Sequence, residues 1–555
     1  MQVAEYVVNK LIDYGVTDTF GVPGGVVLKL IYAMKEKTPI LVPHLNYHEQ
    51  MAGFAACGYS QASGKLGVAY ATRGPGIANM VTCIAEAYQE SLPVLFITAH
   101  GQRNDRGMRF ENSQELDIVS MITGITKYAA NIDSREDVTY IVKTACELAL
   151  NGRRGPVLLD FNASLWGEEI TEDERVKEEV ADCEEDVGYV VDEVCQQIST
   201  SKRPIILLGD GVRHRISRER LQFIANQLSI PVLSSRGSQD LMSGSPYYYG
   251  YIGSHGVRYS NFILSKTDLI IAIGNRLAFP ALSKSFAPIF ANSKLIRIDI
   301  DEKEFNRTFP LSKNYMADAG KILEGLVIRK NNIIINPDWI RVCDVLRKEL
   351  INCDITKPVE QICSYLEQSN EEIYVCDVGN NEFWFSRAFE KSGKTGMVLH
   401  SKSFSTLGVG LGRAIGAYYA TRKAVCCVIG DQGFQFNLQE LGYIKQWNIP
   451  IKILLLNNAL SGMIADHEQN IFGKQLFHVN KETGYSIPDF DKIAEGYGVV
   501  FNRGNDDSMY DGSPCIYEIQ IDSNIGLSPN LPKGRVCQDM EPKLDVKLYE
   551  KLERL

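Results

Sequence analysis

The sequence predicts an α/β protein built of three doubly wound parallel-sheet domains in series. Three observations support that expectation. Uninterrupted, β-branched apolar runs of four to seven residues recur along the chain, as strands buried on both faces require. Most are followed by a glycine-rich turn or a segment of helical periodicity, the alternation that builds parallel sheets. The pattern occurs in three stretches, and 555 residues suffice for three or four domains of about 150 residues each.

The first stretch, residues 1–167, places strands at 67–72, 93–98 and 156–161. The second, 187–330, places them at 204–208, 269–273 and 294–300. The third, 356–555, places them at 373–377, 425–429, 451–456 and 515–521. Between the first two, residues 168–186 hold eleven acidic and two basic residues with little apolar periodicity, the composition of a solvated linker or, alternatively, of a docking tail. The Lys-Asn-Asn tract and the proline within 329–337 mark the second change.

Composition excludes several classes. With 58 Lys and Arg against 68 Asp and Glu the net charge is −10, which argues against a general nucleic-acid binder. No apolar run reaches the roughly 18 residues of a membrane span. The N-terminus opens as an amphipathic helix rather than as a signal peptide, so secretion is not expected. Thirteen cysteines, an odd number without a C-x-x-C pair, fit neither a disulfide framework nor a zinc ribbon. The expected compartment is the reducing cytoplasm.

The chemistry concentrates at Gly430-Asp431-Gln432-Gly433-Phe434, directly after the strand 425–429. The next strand ends in Asn457-Asn458-Ala459-Leu460, so Asp431 and Asn458 lie 27 positions apart, room for one helix and one returning strand. Both then sit at carboxyl ends of parallel strands, where open α/β sheets bind ligands. The Asp431 carboxylate, the Asn458 amide and the Leu460 turn carbonyl would offer three hard oxygen ligands to Mg²⁺ or Ca²⁺. A helix beginning at Gly433 could receive a diphosphate. Taken singly, Asp and Asn at strand ends are ordinary turn formers.

Together these motifs resemble the metal–diphosphate motif of thiamine diphosphate (ThDP) enzymes, and most closely the acetolactate synthase-like branch. The N-terminal motifs are Phe20-Gly-Val-Pro-Gly-Gly25, His48-Glu49-Gln50, Arg73-Gly-Pro-Gly-Ile-Ala-Asn79 and Gln114-Glu115. Asp377-Val-Gly379, Thr406-Leu-Gly-Val-Gly-Leu411, Ala414-Ile-Gly-Ala417 and Gly462-Met463 continue the match. The resemblance implies a pyrimidine-binding first domain, a central domain and a diphosphate-binding third domain. It implies ThDP held with Mg²⁺ by Asp431, Asn458 and Leu460, with Asn79, Gln432, Gly433 and Met463 among the cofactor-binding residues. By the same resemblance, Glu49 hydrogen-bonds the cofactor's aminopyrimidine ring and starts its activation. Read alone, Glu49 would be a helix-opening glutamate. Leu407 takes the place of a bulky apolar residue that holds the two cofactor rings together. Gln114 matches a glutamine near the reacting centre, with a surface helix glutamine as the competing reading.

Four departures bear on substrate and cofactors. Asn380 and Asn381 replace a Gln-His pair near the diphosphate. His467 replaces a tryptophan that helps select the acceptor, so it either lines a wetter pocket or is a solvated residue. Asn162-Ala163 replaces Pro-Lys. Gln432 replaces a glycine and would crowd its turn. In the central domain His255-Gly256, Gly274-Asn-Arg276 and Ile298-Asp-Ile-Asp301 match positions near a flavin, whereas Leu277-Ala-Phe-Pro280 replaces an acidic run. A bound FAD, another nucleotide and an empty vestige stay open there.

The expected activity is decarboxylation of a 2-oxo acid, with pyruvate first, and transfer of the acyl-anion equivalent to a carbonyl acceptor. A keto-sugar acceptor, simple release of aldehyde, or a non-catalytic cofactor-binding protein are the alternatives. The resemblance also implies a homodimer or homotetramer whose sites are shared between subunits.

Overall fold

A computed structural model describes residues 1–101, 113–171, 187–278, 283–473, 476–503 and 512–555. The acidic tract from residue 172 onward, and positions 279 and 280 of the 277–280 run, lie outside the described residues.

Three six-stranded sheets form among the described residues. The first holds β1 (Asp18–Gly21), β2 (Val42–Leu45), β3 (Gly67–Tyr70), β4 (Val94–His100), β5 (Tyr128–Ile132) and β6 (Val157–Asn162), in the order β2-β1-β3-β4-β6-β5. The central one holds β7 (Pro204–Leu208), β8 (Val232–Ser234), β9 (Tyr248–Tyr251), β10 (Leu269–Ile273), β11 (Lys294–Asp299) and β12 (Ser312–Met316), in the order β12-β11-β10-β7-β8-β9. The third holds β13 (Ile373–Cys376), β14 (Met397–His400), β15 (Val425–Gly430), β16 (Ile451–Asn457), β17 (Val500–Asn502) and β18 (Cys515–Gln520), in the order β14-β13-β15-β16-β18-β17. The registered pairings within all three are parallel, as along β4 and β6, β10 and β11, and β15 and β16. The first and third sheets share one topology. The central sheet, counted from its own first strand, has the 3-2-1-4-5-6 order of dinucleotide-binding folds.

All ten expected strands are present. The eight not expected include the six at sheet edges: β2, β5, β9, β12, β14 and β17. Edges have one unpaired side, so burial there varies: all seven residues of the inner β4 are buried and none of the edge β12 is, while the edge β9 is buried throughout but is short and broken by a glycine. No continuous apolar run is needed there.

By compactness the chain divides into two units, and the expected 356–555 segment is shared between them. One unit comprises Met1–Ala181, Glu371–Glu382 and Leu399–Ser523; the other comprises Asp182–Asn370, Phe383–Val398 and Asn524–Leu555. In the first unit the Val3–Asp13 helix buries Val3, Val7 and Leu11 in a core that also holds Leu95, Ile97 and Leu159 of the first sheet. Two further helices, Glu49–Ser63 and Gly410–Thr421, cross at glycines. A Cβ on Gly416 would lie 1.8 Å from the Ala55 carbonyl oxygen, and one on Gly58 would lie 2.2 Å from that of Arg413. Neither backbone could approach so closely with a larger residue. In the second unit, apolar cores cover the central sheet, and the buried Trp339 donates its Nε1–H to the Pro204 carbonyl at 3.0 Å.

The twelve described cysteines are free thiols. Among the described residues no helix is long and apolar enough to cross a membrane.

Candidate active site

In the third sheet the strand order reverses between β13 and β15, and the crevice beyond their carboxyl ends is where an open α/β sheet binds ligands. Asp377 to Asn381 follow β13, and Asp431 to Gly433 follow β15. Asn458 and Leu460 follow the next strand, β16. The structure thus gathers the expected metal and diphosphate residues at one end of one sheet.

Asp431 is buried. Its Oδ1 accepts the Gln432 N–H at 2.8 Å, while its Oδ2 has no hydrogen-bond partner among the described residues. Burial pushes the carboxyl up to about 6, against the nearby N–H groups of Ala459 and Leu460 and the Tyr485 hydroxyl, which favour the charged form. A buried carboxylate oxygen without a donor suits a cation. Asn458 is buried in the turn after β16, and the Asn457 side chain shapes that turn, accepting the Ala459 N–H at 3.0 Å and donating to Glu518 at 2.7 Å. Among the described residues no three His, Cys, Asp or Glu side chains converge as a metal site, so a cation bound here would rest on one carboxylate with amide and main-chain oxygens.

The helix here begins at Asp431, two residues before the expected Gly433, and spans only Asp431–Gln435. Gln432 does not crowd its turn. It lies within this helix, and its Oε1 accepts the Ser461 hydroxyl at 2.8 Å, tying the two ligand loops together. Asn381 donates to the Asp377 carbonyl at 2.7 Å. Asn380 donates to Asp466 at 2.9 Å, and its buried Oδ1 has no partner among the described residues. A Cβ on Gly462 would lie 2.8 Å from Asn458 Nδ2 and 3.1 Å from Asn380 Nδ2, so a larger residue there would displace these two amides. Met463 and Leu460 are half-buried, whereas His467 is exposed on the Gly462–Phe472 helix. Asp466, which sequence reasoning passed over, is the residue turned toward Asn380. Its signal was only its place beside His467.

Leu407 is half-buried at the apex of a turn with positive φ at Ser405 (58°) and Gly408 (83°). Asp377, buried and pushed up to about 7 by desolvation, holds the far side of that turn. Its Oδ1 accepts the Gly408 N–H at 3.0 Å and its Oδ2 the Gly410 N–H at 2.9 Å.

In the first sheet the matching crevice lies between β1 and β3. Glu49 opens the Glu49–Ser63 helix behind the His48 cap, and its Oε2 accepts from Asn79 Nδ2 at 3.0 Å. Its Oε1 would stand 3.5 Å from a Cβ on Gly76. Gln114 is exposed with φ 62°, and its carbonyl lies against Gly74 of the loop after β3. Asn162 caps the following turn by accepting the Ser164 N–H. No hydrogen bond joins the Glu49–Asn79 set to the Asp431–Asn458 set among the described residues.

In the central sheet the switch point falls between β7 and β10. The N–H groups of Gly209 and Gly211 are spent on the Ile273 and Gly274 carbonyls, both at 3.0 Å, rather than presented to a nucleotide phosphate. Arg276 pairs with Glu304 at 3.3 Å, and Asp301 caps a turn through Lys303. Burial, with the Arg387 and Arg236 charges near it, pushes His255 down to about 4. These two glycine N–H groups are thus not available to a flavin diphosphate.

Two switch-point crevices of one topology, one with a glutamate and one with a buried carboxylate–amide set, define a cofactor-dependent α/β enzyme. Residues 1–121 match the thiamine pyrophosphate enzyme N-terminal TPP binding domain, 191–326 the central domain and 377–510 the C-terminal TPP binding domain. The chain belongs to the thiamine pyrophosphate enzyme family, in its acetolactate synthase-like branch, and is a ThDP-dependent enzyme of the carboligase/decarboxylase type. It is 32% identical to a probable acetolactate synthase large subunit of Methanococcus aeolicus, over 97% of this chain and 94% of that protein. It is 29% identical to the acetolactate synthase isozyme 2 large subunit of Escherichia coli, over 98% of this chain and all of that protein.

Proposed function

We propose that the protein decarboxylates pyruvate and joins the resulting two-carbon unit to a carbonyl acceptor, a second pyruvate giving acetolactate. The observation that supports this most is the pairing of a Glu49–Asn79 set with the orphaned Asp431 oxygen in two matching crevices. Asp431, Asn458 and the Leu460 carbonyl would hold Mg²⁺, and the loop through Gln432 and Gly433 would face the diphosphate. When bound, ThDP supplies a carbon nucleophile able to add to a 2-oxo acid and stabilise the electron pair left by CO₂. Glu49 holds a proton against the aminopyrimidine ring, and Asn79 orients its carboxylate. Leu407 keeps the reacting parts close and water out.

A homodimer with shared sites fits two sets that no hydrogen bond joins among the described residues, each chain giving Glu49 to its partner's metal loop. A cytoplasmic location accords with the free, mostly buried thiols. A second reading has a polar acceptor such as a keto sugar. It is favoured by Asp466 and the unpartnered Asn380 Oδ1, which place hydrogen-bonding groups beside the ligand loops.

The test is CO₂ release from pyruvate with added ThDP and Mg²⁺, with the products identified in the presence of each acceptor. Absence of cofactor-dependent CO₂ release from any 2-oxo acid would reject the reading. Mixing inactive Glu49→Ala and Asp431→Ala chains should restore about a quarter of activity if sites are shared and subunits exchange freely. No recovery despite exchange would reject shared sites.

A further inference from the structure

Glu49 and Leu407 occupy corresponding places in the first and third domains, each just after the second strand of its sheet. Each follows a short turn that opens the long helix of the glycine crossing: residues 46–48 lead into Glu49–Ser63, and 401–409 into Gly410–Thr421. What holds each turn is a carboxylate from the other domain. Glu440, the first residue of the Glu440–Gln446 helix of the third domain, accepts Asn46 Nδ2 at 3.2 Å and the Tyr47 N–H at 3.0 Å, immediately before Glu49. Burial pushes the Glu440 carboxyl up to about 7, against the Asn46, Tyr47 and His48 donors, which favour its charged form. Glu90, the last residue of the Val81–Glu90 helix of the first domain, accepts the N–H groups of Ser403 at 2.5 Å and Phe404 at 3.4 Å. It also pairs with Lys402 at 3.6 Å, just before Leu407. One turn earlier on that helix, buried Glu86 pairs with buried Arg413, which also bonds Gln61 at 2.9 Å and the His400 carbonyl at 2.7 Å.

Each of these helices lies between the third and fourth strands in chain order of its own sheet. The two clamps are thus reciprocal under the topology that the first and third sheets share. Glu90 also stands where a helix dipole disfavours negative charge, at a C-terminus, so its own helix does not account for it. The turn N–H groups do. We propose that Glu440 and Glu90 are positioning residues for the reaction, Glu440 fixing the direction of Glu49 and Glu90 fixing the apex that presents Leu407.

This inference rests on the catalytic reading of Glu49, and its test separates the two. Glu440→Gln keeps the volume and one acceptor oxygen but replaces the other, which accepts from the clamp, with an NH₂ donor. Turnover should fall roughly ten-fold or more, as expected for a small misplacement of a reacting group. ThDP and Mg²⁺ affinity should stay within about three-fold, because the anchors on Asp431 and Asn458 are untouched. In a Glu49→Gln background the same change should have almost no further effect on turnover, since Glu440 acts through Glu49. Glu90→Gln should behave likewise with Leu407→Ala as its background.

Equal fold losses in both backgrounds, or unchanged turnover in Glu440→Gln, would overturn the proposal. Full turnover in Glu49→Gln alone would instead overturn the catalytic reading. If Glu440→Gln misfolds, Asn46→Ala removes one donor of the same clamp, and the identical background comparison decides the matter.

Discussion

Replacing Gly416 by alanine tests the helix crossing on which both halves of the site depend. The new Cβ would meet the Ala55 carbonyl oxygen at 1.8 Å, and the Ala55 carbonyl carbon and Tyr59 nitrogen at 2.7 Å. All three atoms are backbone, so no side chain can rotate away. Reaching even 3.0 Å from the oxygen requires the helices to part by about 1.2 Å. Overpacking of this kind costs about 3 kcal/mol, the upper part of its usual range. The melting temperature should drop by roughly 5 °C or more. Because Glu49 heads one helix and the Leu407 turn heads the other, turnover should fall as well, on the scale of about 10²-fold for an ångström of misplacement. Gly124→Ala is the control: nothing lies within 4 Å of its Cβ and its φ is ordinary, so both quantities should hold. Differential scanning calorimetry and steady-state turnover on the two variants suffice. A Gly416→Ala protein as stable and active as the parent would refute the close crossing.

Three further outcomes are expected. Asp431 in the cation-free protein is raised to about 6, so the folded state holds its proton more tightly than the unfolded chain; the stability this gives is present at low pH and lost as pH rises through about 6. Mg²⁺ needs the deprotonated form, so thermal stabilisation by Mg²⁺ with ThDP should be larger at pH 7 than at pH 5, and Asp431→Asn should abolish most of it. Arg413→Met should destabilise by about 3–5 kcal/mol by stranding the buried Glu86, while adding Glu86→Leu should recover much of that, as read from denaturant midpoints. In competition between a hydroxylated acceptor and 2-oxobutyrate at fixed pyruvate, Asp466→Ala should shift the product ratio more than His467→Trp, because Asp466 faces Asn380 and His467 is exposed.

The interior of each sheet was legible because its chemistry is uniform. Strands such as β4 and β16 are buried along their whole length and must read as apolar runs. The edges were illegible for the converse reason, and β1 was missed although buried, because Asp18-Thr-Phe-Gly21 is half polar. Those polar groups are used: Asp18 takes the imidazole of His44 at 2.7 Å and Arg422 of the third domain. A partner 404 positions away, as Arg422 is, cannot be inferred from local periodicity. The division into compact units escaped for the same reason, since the C-terminal stretch 524–555 joins the unit of the central sheet through contacts without local sequence signature.

The candidate site was legible where function constrains residue type and spacing together, and illegible where it constrains only contact. Asp431 and Asn458 stand at fixed distances from strand ends, so a pattern betrays them. Asp466, Glu90 and Glu440 belong to no such pattern. A glutamate at a helix end or a helix start is common, and only the N–H groups of a distant turn make it specific. Gln432 shows the limit from the other side. Judged by backbone freedom it is an intrusion into a glycine turn, yet its helical conformation removes the objection and its amide oxygen secures Ser461 of the second ligand loop. The residue that differs from the expected motif is thus built into the contact between the two turns instead of disrupting it, and Asp431 Oδ2 stays without a hydrogen-bond partner among the described residues.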